Sequence, residues 1–146
     1  MSNTQTQIIS VDVLGSPMEV HLFGLEVTTP GKLPGIVLAQ HIPVGHTGVH
    51  DESRDDWTVA DMTAAFNLLA SMDEVDPAQI GVLGHCWGGR VAWLAACHLP
   101  QLKACALFYG GRVKLPMGGP SGGRYREQQS EDAWQKLLTF LHTTLA

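Results

Sequence analysis

The chain has 146 residues, 45% of them hydrophobic and 16% charged, with a net charge of −5 at neutral pH. That suits one domain, residues 1–146, with a substantial core, and excludes a disordered chain. There is no basic footprint for nucleic acid and no apolar run long enough for a membrane span. Three cysteines, an odd number, do not make a disulfide framework. Residues 1–7 are polar and lack a signal-peptide core, so a reduced, cytoplasmic setting is expected.

Residues 8–14 and 18–27 read as two strands around a Gly15-Ser16-Pro17 turn, an N-terminal antiparallel hairpin. Residues 33–40 form an apolar run expected as the first parallel strand. Residues 41–54 show no periodicity and read as a loop. Asp55 or Asp56 then caps a helix whose Val59, Met62, Phe66 and Leu69 repeat at helical spacing. Asp76-Pro77 is expected as a turn.

The most informative stretch is residues 79–91. Ile80, Gly81, Val82 and Leu83 read as a buried strand. Gly84-His85-Cys86-Trp87-Gly88 follows as a tight turn, and then comes a helix with Val91, Leu94 and Ala95 on one side. This is the pattern of a nucleophile elbow, with a thiol where serine is commoner. In such a turn the backbones pass so closely that Gly84 and Gly88 have no room for side chains. A thiol at a helix N-terminus also feels the positive end of the dipole, which favours thiolate. A buried structural cysteine in a glycine-rich turn is the plainer alternative.

Residues 102–109 read as another buried strand, and residues 116–123 as a Pro/Gly/Ser linker. Ser130 is expected to cap a last helix with Glu131 and Asp132 in its first turn. Its stripe is Trp134, Leu137, Leu138, Leu141 and Leu145. Cys97 and Cys105 are expected as ordinary buried thiols. Alternating strands and helices imply a three-layer α/β domain with a mainly parallel sheet. Ligands gather beyond the carboxyl ends of such strands. Those ends carry His41 and Ile42, Cys86 and Trp87, and residues 110–112 including Arg112.

At these residues the chain resembles the dienelactone hydrolase family, also called carboxymethylenebutenolidases, within the α/β-hydrolase fold. The likeness rests on residues 34–40, 76–81, 84–89 and 104–110, with 133–138 and Phe140 similar to the family's last helix. It implies cleavage of a small-molecule ester or lactone through an acyl-enzyme on Cys86. It also implies an oxyanion hole made by the backbone N–H groups of Trp87 and Ile42. Members of this family are much longer. A further helix and strand would fall between His50 and Asp55. The triad aspartate and histidine would fall between Met117 and Tyr125, and neither position is matched. Where the family places a glutamate near the resting thiol, this chain has His41. The chain is expected to be an abridged α/β-hydrolase fold that pairs its uncovered sheet edges as a homodimer or higher oligomer.

The remaining candidates each have two readings. His41, near the end of a strand adjacent to the elbow strand, would serve as the general base, or is a loop histidine bonded to backbone. His85 is expected to pack beside the elbow. His41, His46, His50 and Asp51 supply zinc-type ligands, with Cys86 available as a further one, so metal binding through this loop is a third reading; the spacing matches no tight motif, and no metal and no cofactor are expected. Arg112 would hold a substrate carboxylate in a bidentate fork, or is a solvated arginine. Trp87, Trp93 and Trp134 are expected in the core or a pocket wall.

Overall fold

The computed structural model describes residues 6–24, 30–39, 55–109 and 127–146. The elements, in order, are β1 (Gln7–Val13), β2 (Ser16–Leu22), β3 (Leu33–Ala39), α1 (Asp55–Ala70), β4 (Val75–His85), α2 (Trp87–His98), β5 (Ala104–Phe108) and α3 (Glu127–Thr144). β1 and β2 form a two-stranded antiparallel hairpin, and β3, β4 and β5 form a parallel sheet in that spatial order. The elbow strand β4 is therefore central.

The hairpin turn is displaced from the expected position. Val13 pairs with Ser16 and Asp12 with Pro17, so Ser16 and Pro17 belong to β2. The loop is Leu14-Gly15, with φ of 53° and 83°. Positive φ at both central residues is the type I′ geometry, whose twist suits a two-residue hairpin. The Gly15 amide donates to Asp12 Oδ1 at 3.3 Å.

Side-chain alternation along β4 separates the layers. Ile80 and Val82 are fully buried and meet Met62 and Phe66 of α1 and Ala92 and Ala95 of α2. Fully burying such aliphatic side chains contributes about 1.5–3 kcal/mol each. Gly81 points the other way: a Cβ there would lie 3.4 Å from Leu145 Cδ1, just beyond α3. With α1 and α2 on one face and the α3 end on the other, the expected three layers are present. The β3 residues on the α3 face are not covered among the described residues, where Ile36 is 43% and Leu38 63% exposed.

Several local expectations are corrected. Asp76-Pro77 lies inside β4; the Ala78 amide donates to Asp76 Oδ1 at 2.9 Å, and the register jumps from Leu33↔Val75 to Gly35↔Ile80. The local turn bulges the strand instead of preceding it. Asp55 and Asp56 stand in the first turn of α1, where carboxylates complement the dipole. Ser130 is inside α3, which begins at Glu127, because Glu127-Gln128-Gln129 are all good helix formers. Trp93 and Trp134 are exposed, as is Cys97. The linker at 116–123 lies outside the described residues.

Candidate active site

β4 ends at His85, α2 begins at Trp87, and Cys86 is the single residue between them. Its backbone sits at φ 56°, ψ −121°, a left-handed conformation that costs an L-residue about 1–3 kcal/mol. Two contacts impose it. A Cβ on Gly84 would lie 2.0 Å from the Gly88 carbonyl oxygen and 2.9 Å from the Gly89 nitrogen, so strand and helix meet backbone to backbone. The Cys86 amide donates to the Phe108 carbonyl at 3.0 Å, pinning the turn to the tip of β5. The Cys86 carbonyl then accepts from the Gly89 amide at 3.0 Å and the Arg90 amide at 3.4 Å, which starts the helix.

Cys86 is thus the N-cap of α2, and its side chain makes no capping bond. The thiol is half-buried at the carboxyl end of the parallel sheet, the place where α/β folds gather ligands. Trp87 opens the helix, so its amide belongs to the first-turn N–H groups that point out of the helix end.

The flanking residues form an aromatic wall. His85 stacks on Phe108 with ring centres 4.6 Å apart and planes 4° from parallel, and meets Tyr109 edge-on at 6.3 Å. It packs beside the elbow, as expected. Tyr109 is itself strained, at φ 37°. Two strained non-glycine residues therefore occupy neighbouring strand tips, a clustering typical of functional sites.

Two features at the site had no sequence signal. Tyr109 is one. The other is Arg90, whose Nη2 donates to Asp55 Oδ1 at 2.6 Å, a pairing across 35 residues with no local pattern. The guanidinium carbon lies 5.8 Å from the centre of the Trp87 ring.

The other two thiols lie in different surroundings. Cys97 is exposed in the last turn of α2. Cys105, on β5, lies under α2 with its sulfur 3.5 Å from the Ala92 carbonyl. Burial pushes its thiol up from the ordinary range, and Cys97 adds to the shift. Of the expected site residues, Cys86 and Trp87 meet at the elbow. His41, Ile42 and Arg112 lie outside the described residues, as do His46, His50 and Asp51.

A parallel sheet whose central strand ends in a strained residue at a helix N-terminus defines the α/β-hydrolase class. The family model described as "Dienelactone hydrolase family" matches residues 39–121, more than half the chain, and the chain belongs to that family. Among proteins named "Putative carboxymethylenebutenolidase", the one from Methylorubrum extorquens is 39% identical over 59 residues, covering 40% of this chain and 20% of that protein. The Escherichia coli K12 protein is 38% identical over 69 residues, 47% of this chain and 25% of its own length. The matched stretches therefore span a quarter or less of these relatives. In fold, the chain is similar to the "Putative Dienelactone Hydrolase from Klebsiella pneumoniae subsp. pneumoniae", with a TM-score of 0.64 and 21% identity. The match covers 86% of this chain and 66% of that one.

Proposed function

We propose that this chain hydrolyses small carboxylic esters or lactones with Cys86 as the nucleophile. The observation that carries the reading is the strained N-cap geometry of Cys86 at the sheet's carboxyl edge. The thiolate attacks the carbonyl carbon, and the resulting oxyanion accepts hydrogen bonds from the backbone N–H groups of Trp87 and Ile42. Collapse breaks the ester C–O bond, the leaving oxygen takes a proton, and an acyl thioester remains on Cys86. Water then attacks the thioester, releasing the acid and restoring the thiol. His41 is the proposed base, and Arg112 the proposed partner for a substrate carboxylate.

If residues 1–146 are all that the enzyme has, turnover should be weak, because no triad aspartate and histidine are matched. Losing members of such a unit typically costs orders of magnitude in rate. The test is steady-state hydrolysis of an activated ester such as p-nitrophenyl acetate, which Cys86→Ala should abolish. Equal turnover in that variant sinks the proposal.

The same lack of a matched acid and base favours a second reading, a catalytically silent binding or assembly module on the hydrolase scaffold. It predicts a single burst of p-nitrophenol with no steady state, because deacylation needs an activated water.

The chain is further proposed to act as one cytoplasmic domain that assembles as a homo-oligomer. Among the described residues β2 pairs only with β1, and β3 only with β4. A cavity of about 680 Å³ is lined by residues of both strands and of α1. Unpaired edges of this kind invite a further chain. A purely monomeric sedimentation profile at high concentration would count against assembly.

A further inference from the structure

Arg90 stands one helical turn beyond Cys86, and its backbone amide already bonds the Cys86 carbonyl at 3.4 Å. Its guanidinium makes two further contacts. Nη2 reaches Asp55 Oδ1, 2.6 Å away at the start of α1, and the Cζ atom lies 5.8 Å from the Trp87 ring centre. The Arg90 side chain is only 13% exposed, whereas that of Asp55 is 55% exposed. Nε is buried with no hydrogen-bond partner among the described residues. A nearly buried guanidinium with one nitrogen unsatisfied is an expensive way to join two helices. Hydrophobic side chains of similar volume often replace such ion pairs without loss of stability, so stability alone is a weak account of it.

We propose that Arg90 is the positioning residue of the elbow: clamped to Asp55 and laid against the Trp87 ring, it fixes the aim of the Trp87 amide beside the Cys86 sulfur. This rests on the acyl-enzyme reading above and names a residue that governs it. Arginine suits the role because its planar fork bonds a carboxylate and packs on an aromatic face together, which a lysine ammonium does not. The Asp55 contact sets the guanidinium's direction, and the guanidinium in turn holds the indole. An oxyanion donor acts through its direction, and losing one costs about 10²–10³ in rate.

The test compares two reactions of Cys86 in the wild type, Arg90→Met, Arg90→Lys, Asp55→Asn and the double variant Arg90→Met/Asp55→Asn. Iodoacetamide alkylation needs the thiolate but no oxyanion donor, whereas acylation by p-nitrophenyl acetate needs both. Arg90→Met and Asp55→Asn should each slow acylation on the order of tenfold while leaving alkylation within about twofold. The double variant should be no slower than either single one, because both break the same contact. Arg90→Lys should recover only part of the rate. Equal slowing of both reactions, or additive losses in the double variant, overturns the assignment.

A spectroscopic arm keeps the two proposals separable. With fluorotryptophan incorporated, the Trp87 resonance, identified by Trp87→Phe, should move in Asp55→Asn as it does in Arg90→Met. If the wild type never acylates but the resonance moves, the hydrolase reading fails and the Arg90 clamp stands. An unmoved resonance rejects the clamp whatever the activity.

Discussion

The two ends of α2 are built on opposite terms. At the first end, β4 and the helix touch through backbone, with Gly84 under Gly88, and the residue between them is forced to φ 56°. At the last end, Leu99 sits at φ −113°, its amide closes the helix on the Ala95 carbonyl at 2.8 Å, and its side chain is buried. Each end carries a cysteine, Cys86 in the strained turn and Cys97 on the exposed last turn. The helix ends ordinarily where only packing is needed. It begins in a strained conformation where a sulfur must be presented, and such strain persists only where surrounding contacts over-determine it.

Adding one methyl group should therefore break the first end. Gly84→Ala places a carbon 2.0 Å from the Gly88 oxygen, which neither backbone can vacate. A loss of roughly 4 kcal/mol or more, seen as failure to fold or a collapsed denaturation midpoint, is expected. The last end should break by removal instead: Leu99→Ala deletes a side chain that packs in the core around Ile80 and Val82, costing about 2–5 kcal/mol in urea unfolding. If Gly84→Ala proved the milder of the two, the close approach of strand and helix would be wrong.

A smaller effect of opposite sign sharpens the contrast. Cys86→Gly removes the side chain that makes φ 56° costly. It should raise stability by about 1 kcal/mol, the relief of strain less glycine's entropic cost, while abolishing turnover. A destabilised Cys86→Gly protein would mean the turn is not strained.

The smallest effect concerns pH. Asp61 is largely exposed, but partial desolvation raises its carboxyl above the ordinary value, so the folded chain holds that proton more tightly than the unfolded one. The resulting contribution is present below the usual carboxylate range and is lost as pH rises through the raised value. Asp61→Asn should therefore leave Tm unchanged or slightly higher at pH 7, and this relative gain should vanish near pH 3. A Tm loss at pH 7 larger than at pH 3 would contradict the shift.

What the sequence disclosed and what it withheld divide along the same lines. The elbow was legible because Gly84, Gly88 and an apolar run before them satisfy a constraint that few other residues meet. The central core was legible for Ile80, Val82, Met62 and Phe66 because burial follows periodicity. Element ends were less so: Ser130 read as a cap, but Glu127 and Gln128 extend the helix backwards. Ser16 and Pro17 read as a turn, yet Leu14 and Gly15 take the positive φ angles. Exposure of Trp93, Trp134 and Cys97 has no sequence signature, because a helical stripe does not say how far the covering layer extends. The Arg90–Asp55 pair has no local signature, since only the fold brings its members together.

The most direct measurement is the rate of iodoacetamide modification at each cysteine, followed by peptide mass spectrometry at pH 7. Accessibility alone ranks exposed Cys97 ahead of half-buried Cys86, and the raised, partly buried Cys105 last. A turn that readies Cys86 for attack reverses the first two, with Cys86 ahead by about tenfold or more. If Cys97 reacts first, or the two react equally, the elbow holds an ordinary thiol and the account fails.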